Sequence, residues 1–415
     1  MTDPRWTIVR RLLLVFLVGT GIAVAARRAR PPAEPGVTPD DAVEGEASAE
    51  PAGPPTLPAA GPLFDGALPI ALTAIPAGLP GLSAQGCNAC HFSVHDAWAA
   101  GAHARAWTSE RFRLALDRAG DTTACTGCHL PLQRQHARLA SGYTDGDIAR
   151  PELADNPAWD PTLMTEGVTC AACHVRDGKV LTTRADASPS AHPLALSEDL
   201  DTSELCATCH QLTWPDAAQP FYDTYGEWQR SPQGQAGIGC QDCHMPPVAG
   251  LATATRFAAQ ADHGVVADTA RALTVLARLS APEVERGTPI HLTLTLRNTG
   301  AGHSVPTGSP FKSYRVVARL IGADGKELTA PFTHDLAREV QPAPPWETLS
   351  DNRLPAGGEL VLDHDFTVDQ RKRAGRGLLE IGIWRLDSEQ RADTRWTPAR
   401  ADPPLLRQEI PLVVM

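Results

Sequence analysis

Beyond about residue 270 the chain alternates apolar and polar positions. Leu273, Val275, Ala277 and Leu279 alternate with polar or smaller partners, and Ile290, Leu292, Leu294 and Leu296 do so cleanly. Such alternation describes strands with one face buried. Tyr314 to Ile321, Glu359 to Phe366, Leu378 to Trp384 and Gln408 to Val414 are further strands of this kind. Turn signals at Ala323-Asp324-Gly325 and Ala356-Gly357-Gly358 separate them. Several short strands over residues 270–415 predict a small β-sandwich of immunoglobulin-like type.

Residues 83–269 lack that alternation. Irregular polar stretches there predict short helices and loops with little sheet. One helix opens at Ser109 as N-cap, runs through Arg118 and closes at Gly120. Residues 31–62 hold nine prolines with Ala, Glu and Gly and no apolar period, so residues 31–82 read as a disordered Pro/Ala-rich linker. At the N-terminus Arg5, Arg10 and Arg11 precede an apolar run from Leu12 to Ala26 that contains Ala23-Val24-Ala25, a small-x-small cleavage pattern. Arg27, Arg28 and Arg30 follow at once, which speaks against cleavage. Residues 1–30 are therefore a signal peptide or a retained membrane anchor. Either role places the body in the periplasm or elsewhere outside the cytoplasm, with attachment to the inner membrane in the second case.

Composition changes the picture of the core. Aromatic residues make up only 5% of 415 positions, whereas there are 37 prolines and 34 glycines. A chain so poor in large apolar side chains needs other apolar mass to fill its interior. The formal net charge of −11 argues against nucleic acid as a partner and favours basic redox proteins.

The cysteines supply the candidate chemistry. All ten fall in five Cys-x-x-Cys-His copies: Cys87, Cys90 and His91; Cys125, Cys128 and His129; Cys170, Cys173 and His174; Cys206, Cys209 and His210; Cys240, Cys243 and His244. Two thiols three positions apart on a helical turn reach the two vinyl groups of one haem, and the adjacent histidine offers its imidazole to the iron. Zinc sites have no need of a histidine after every second cysteine, and a disulfide framework would not space every pair alike. The reading is five covalent haem c groups. Attachment of haem c acts on the exported chain, which agrees with the N-terminal signal.

The sixth iron ligands decide what such a protein does. A second histidine makes a haem six-coordinate and suited to electron transfer, and a haem without one has an open position. Nine histidines lie outside the motifs. His103, His136, His263 and His303 are the candidate second ligands, lying in or beside haem-rich or loop segments. His192 ranks below them, and His95 shares a helix face with His91 and could serve only a neighbouring haem. His291, His334 and His364 belong to the strand region. Met164 is a weaker alternative, and Met245, next to a motif histidine, cannot reach the far side of its own iron.

Several segments resemble the cytochrome c-554 family, which includes the tetrahaem partner of hydroxylamine oxidoreductase. They are Cys87-Asn88-Ala89-Cys90-His91 with Trp98 and Gly101-Ala102-His103-Ala104, Glu166-Gly167-Val168-Thr169-Cys170, and Tyr225-Gly226-Glu227-Trp228 followed by Gly239-Cys240-Gln241-Asp242-Cys243-His244-Met245-Pro246. The loop from Asn298 to Gly308 is similar to one that recurs in multihaem cytochromes with a C-terminal β-domain. The resemblance implies that His103 and His303 are distal ligands, the latter reaching in from the β-domain. The sequence departs from the tetrahaem pattern in its five motifs and in Gly101, where the family usually has Ser.

The expectation is a pentahaem cytochrome domain at 83–269 and a β-sandwich at 270–415, an electron-transfer protein rather than an enzyme. Its partners would be other cytochromes or a terminal reductase. The rival is a multihaem oxidoreductase with one open haem acting on a small nitrogen or sulfur oxyanion. That reading is weakened because no motif ends in lysine, as the catalytic haem of pentahaem nitrite reductases typically does. A third class is an assembly subunit that docks through its β-domain.

Overall fold

The computed structural model describes residues 68–415 apart from 120–122, 147–149, 186–189, 215–216, 254–255, 344 and 400–401. They belong to one compact unit, Pro54–Met415. The predicted export segment and most of the predicted linker lie outside the described residues, among which no helix is long and apolar enough to cross a membrane.

The first half is built of short pieces. Its helices are α1 (Ala84–Ala100), α2 (Glu110–Ala119), α3 (Thr123–His129), α4 (Cys170–His174), α5 (Ser203–His210), α6 (Thr224–Gln229), α7 (Pro232–Gln235) and α8 (Cys240–His244). Most are too short to persist alone and are held by what they pack against. Ser83 caps α1, its side chain accepting from Gln85 N, and Glu166 Oε2 accepts from Ala84 N at 2.9 Å. The expected helix after Ser109 is α2.

The same half contains more sheet than its sequence announces. Hairpins pair β1 (Arg138–Tyr143) with β2 (Pro151–Asp155), β6 (Gln211–Leu212) with β7 (Tyr222–Asp223), and β8 (Pro247–Thr253) with β9 (Arg256–Ala261). A fourth small sheet holds β3 (Val175–Arg176), β4 (Lys179–Thr182) and β5 (Leu194–Leu196). β1, β2, β8 and β9 bury none of their residues, so no apolar alternation marks them.

The linker boundary also moves. Ile70 N donates to Pro131 O at 2.6 Å and Ile70 O accepts from Gln133 N at 2.9 Å. Leu72 and Leu82 are buried with Leu132, Leu163, Ala171, Ala172 and Val175. Residues 68–82 are thus part of the folded body. Their Pro-rich composition hid two leucines, each worth roughly 1.5–3 kcal/mol on burial.

The second half follows its alternation. A three-stranded sheet runs β10 (Leu273–Leu279), β12 (Pro289–Asn298) and β17 (Glu359–Thr367). A five-stranded sheet runs β11 (Glu283–Val284), β19 (Leu406–Val414), β18 (Gly375–Leu386), β13 (Ser313–Gly322) and β14 (Phe332–Leu336). A hairpin of β15 (Arg338–Val340) and β16 (Thr348–Asp351) stands apart. Leu292, Leu294 and Leu296 of the first sheet share one core with Val316, Leu320, Leu379 and Ile381 of the second. β13 is buried on both faces through most of its length, and its arginines are paired: Arg315 with Asp335 at 2.7 Å and Arg319 with Glu380 at 2.6 Å. Buried charges persist only when paired in this way.

Two seams join the halves. Trp214 and Phe221 pack with Trp346, and Arg338 donates to the carbonyls of Pro220 and Phe221 at 2.7 and 3.2 Å. The second seam, around Glu227, carries a candidate site residue and is described below.

Candidate functional site

Every motif sits on a helix. Four of the five helices, α3, α4, α5 and α8, end on the motif histidine, where the chain turns extended or irregular. α1 instead continues past its motif and kinks there, with φ −110° and ψ 40° at His91. No disulfide joins any of the ten cysteines. Three pairs from different motifs touch: Cys87 with Cys170, Cys128 with Cys209, and Cys206 with Cys240. Cys173 lies close enough to Cys206 and Cys209 to interact electrostatically with both. The five motifs are therefore one connected cluster.

The motif histidines share a second feature. Nδ1 meets a backbone carbonyl in four of them: His91 with Ala252 O at 2.8 Å, His129 with Ala106 O at 2.6 Å, His174 with Leu181 O at 3.0 Å, and His244 with Val266 O at 2.8 Å. A carbonyl only accepts, so Nδ1 carries the proton and Nε2 is left bare, as a metal-ligating imidazole requires. Burial holds His174 and His210 neutral down to about 4.

Four of these rings face a second histidine ring. The pairs are His91 with His192 at 6.5 Å between centroids, His210 with His103 at 6.5 Å, His174 with His263 at 6.1 Å, and His244 with His303 at 6.1 Å. Two metal–imidazole bonds of about 2 Å, plus roughly 1 Å from each Nε2 to its ring centre, set centroids roughly 6 Å apart. His263 and His303 also point Nδ1 at carbonyls, of Ala261 at 2.8 Å and Ser304 at 3.0 Å.

His129 is different. Among the described residues no second histidine ring faces it. Phe112 of α2 stacks on it instead at 3.5 Å. Tyr222 lies near Cys125 and Cys128 of the same motif, its phenol pushed upward by burial. His136, expected as a ligand, uses Nε2 against Leu130 O at 2.7 Å and faces no motif histidine. His192, ranked below His136 from the sequence, is the ring that faces His91. Its Ser-Ala-His-Pro surroundings carry no local signal, because its partner His91 is remote in sequence.

The residues present fit haem. The cysteine spacing, bare Nε2 atoms and ring separations agree. The first half has only a small apolar core of its own, chiefly Leu72, Leu82, Leu132 and Leu163, in a region that needs apolar mass. Among the described residues no three of His, Cys, Asp or Glu gather as a metal-ion cage.

Residues 86–148 match the family described as cytochrome c554 and c-prime. A penta-heme cytochrome c552 from Thermochromatium tepidum is 20% identical, covers 80% of this chain and 98% of that chain, and superposes with a TM-score of 0.54. This is the fold of a multihaem c-type cytochrome. The cytochrome c554 resemblance read from the motifs is thereby shown, over a span that includes the first two of them. The CARDB domain of a Pyrococcus furiosus protein is 16% identical, covers 34% of this chain and 87% of that chain, and has a TM-score of 0.20. No curated protein matches the chain.

Proposed function

We propose that the protein is an extracytoplasmic electron-transfer cytochrome with five covalent haems, four held between two histidines and one held by His129 alone. The ring pairs at 6.1–6.5 Å carry this reading. The haems would supply one-electron chemistry. The chain's part is to hold each Nε2 bare, to keep water from the buried pairs, and to set the order of the sites. The thiol contacts support an order of first, third, fourth and fifth motifs, with the second beside the fourth. An arrangement whose ligands need not move between oxidation states suits rapid transfer to redox partner proteins.

We also read the strand region as an immunoglobulin-like sandwich. The sheet orders β10-β12-β17 and β11-β19-β18-β13-β14, with β11 parallel to β19, support it.

Dithionite titration of the isolated protein tests the proposal. Full reduction should consume five electrons per chain, and fewer would overturn the haem count. One observation favours a second reading. Among the described residues no second histidine faces His129, which leaves room for a multihaem reductase acting at that haem on a small nitrogen or sulfur oxyanion. Reoxidation of the reduced protein by nitrite, hydroxylamine or tetrathionate would support it, and inertness toward all three would remove it.

A further inference from the structure

The loop from Asn298 to Gly308 is held from two sides. On the β side, Asn298 is fully buried and its Nδ2 donates to His303 O at 2.8 Å and Leu354 O at 3.1 Å. Val305 and Leu354 exchange backbone hydrogen bonds at 2.8 and 3.0 Å. On the haem side α6 holds the loop through Thr224, whose Oγ1 lies 2.9 Å from Thr307 Oγ1, and through Glu227. Its Oε2 accepts from Ser304 N at 3.0 Å and from Thr307 Oγ1 at 2.8 Å, and its Oε1 pairs with Arg353 at 2.8 Å. The carboxylate is 9% exposed and Arg353 10%. Ser304 directly follows His303.

The same helix reaches the opposing histidine. Trp228, next to Glu227, donates Nε1 to Ile238 O at 2.8 Å, one residue before the Gly239 N-cap of α8, whose last residue is His244. Close packing adds to the hold: a Cβ on Gly302 would meet Gln233 Cβ at 3.2 Å and Trp228 Cδ1 at 3.3 Å. A short path thus runs from His303 through Ser304 N, Glu227, α6 and Ile238 to His244. Its two ends are rings 6.1 Å apart and 8° from parallel.

We propose that Glu227 is the positioning residue that holds His303 opposite His244, so that one buried carboxylate on the haem side sets the second ligand supplied by the β region. The inference rests on the reading of His303 as that ligand. A carboxylate suits the task, because charged acceptors make shorter and stronger hydrogen bonds than neutral ones. Removing it frees Ser304 N, leaves Thr307 with Thr224 alone at 2.9 Å and leaves Arg353 with Asp351 at 2.7 Å.

The test uses the full-length, haem-loaded protein and counts carbon monoxide bound per chain after reduction. His303→Ala should bind one more than wild type. Glu227→Ala should gain the same additional site with the same spectrum. Glu227→Gln keeps an acceptor for Ser304 N and Thr307 and should stay at the wild-type count. If Glu227→Ala fails to load haem, Glu227→Asp takes its place. It keeps the charge near Arg353 while drawing back by about 1.5 Å, and it should gain the site. Unchanged carbon monoxide binding in a loaded Glu227→Ala or Glu227→Asp protein, with a gain in His303→Ala, overturns the proposal. No gain in His303→Ala overturns the ligand reading itself.

Discussion

A histidine that binds iron must keep one ring nitrogen bare, and a carbonyl on Nδ1 does this for His91, His129, His174 and His244. The ring opposite separates two non-motif histidines. His192 faces His91, whereas His136 gives its Nε2 to Leu130 O. His192→Ala should therefore add one carbon monoxide site per reduced chain, and His136→Ala should leave the count as in wild type. The reverse outcome would exchange their roles. The motif residues were legible because their chemistry is local: two thiols and an imidazole on one helical turn. His103, His263 and His303 stood out through neighbouring motifs, and the structure sets each before a motif histidine. His192 did not, since the signal for a tertiary pair lies in neither member's neighbourhood. Glu227 was visible only as part of a familiar segment, and nothing near it in sequence indicates Ser304, Thr307 or Arg353 as its partners.

Among the elements, the long strands were legible and the hairpins of the first half were not. β12 has one face in the core and one in solvent, so burial and hydropathy alternate together. β8 and β9 lack a buried face, yet β8 supplies Ala252 O to His91. Across β12 and β17, His291 bonds Asp365 at 2.8 Å and Asp363 at 3.2 Å. Asp365 first, then Asp363, raises the imidazole above its usual value. A raised folded value means that the pair's contribution is complete below about 6.5, the unfolded value, and fades as pH climbs through the folded one. The melting temperature of His291→Asn should fall below wild type at pH 5 to 6. The gap should close in alkali, and a gap that widens with pH would contradict the assignment.

In the molecule as a whole the two halves are stabilised differently. The β region carries a continuous apolar core of Leu, Val, Ile and Phe side chains, so its sequence sufficed to predict strands. The first half has short helices around a few buried leucines and a web of histidines and thiols, and its sequence announced attachment chemistry more clearly than backbone shape. The seams at Arg338 and at Glu227 make the β region a supplier of structure to the first half, and it sets the His303 ring before His244. On this account four irons have both axial positions filled by the chain, and the fifth, at His129, has one. A carbon monoxide difference spectrum of the reduced protein, normalised to haem by pyridine haemochrome, measures this directly. The account predicts five haems and one carbon monoxide per chain. Fewer than five haems, no carbon monoxide at all, or two or more per chain would contradict it.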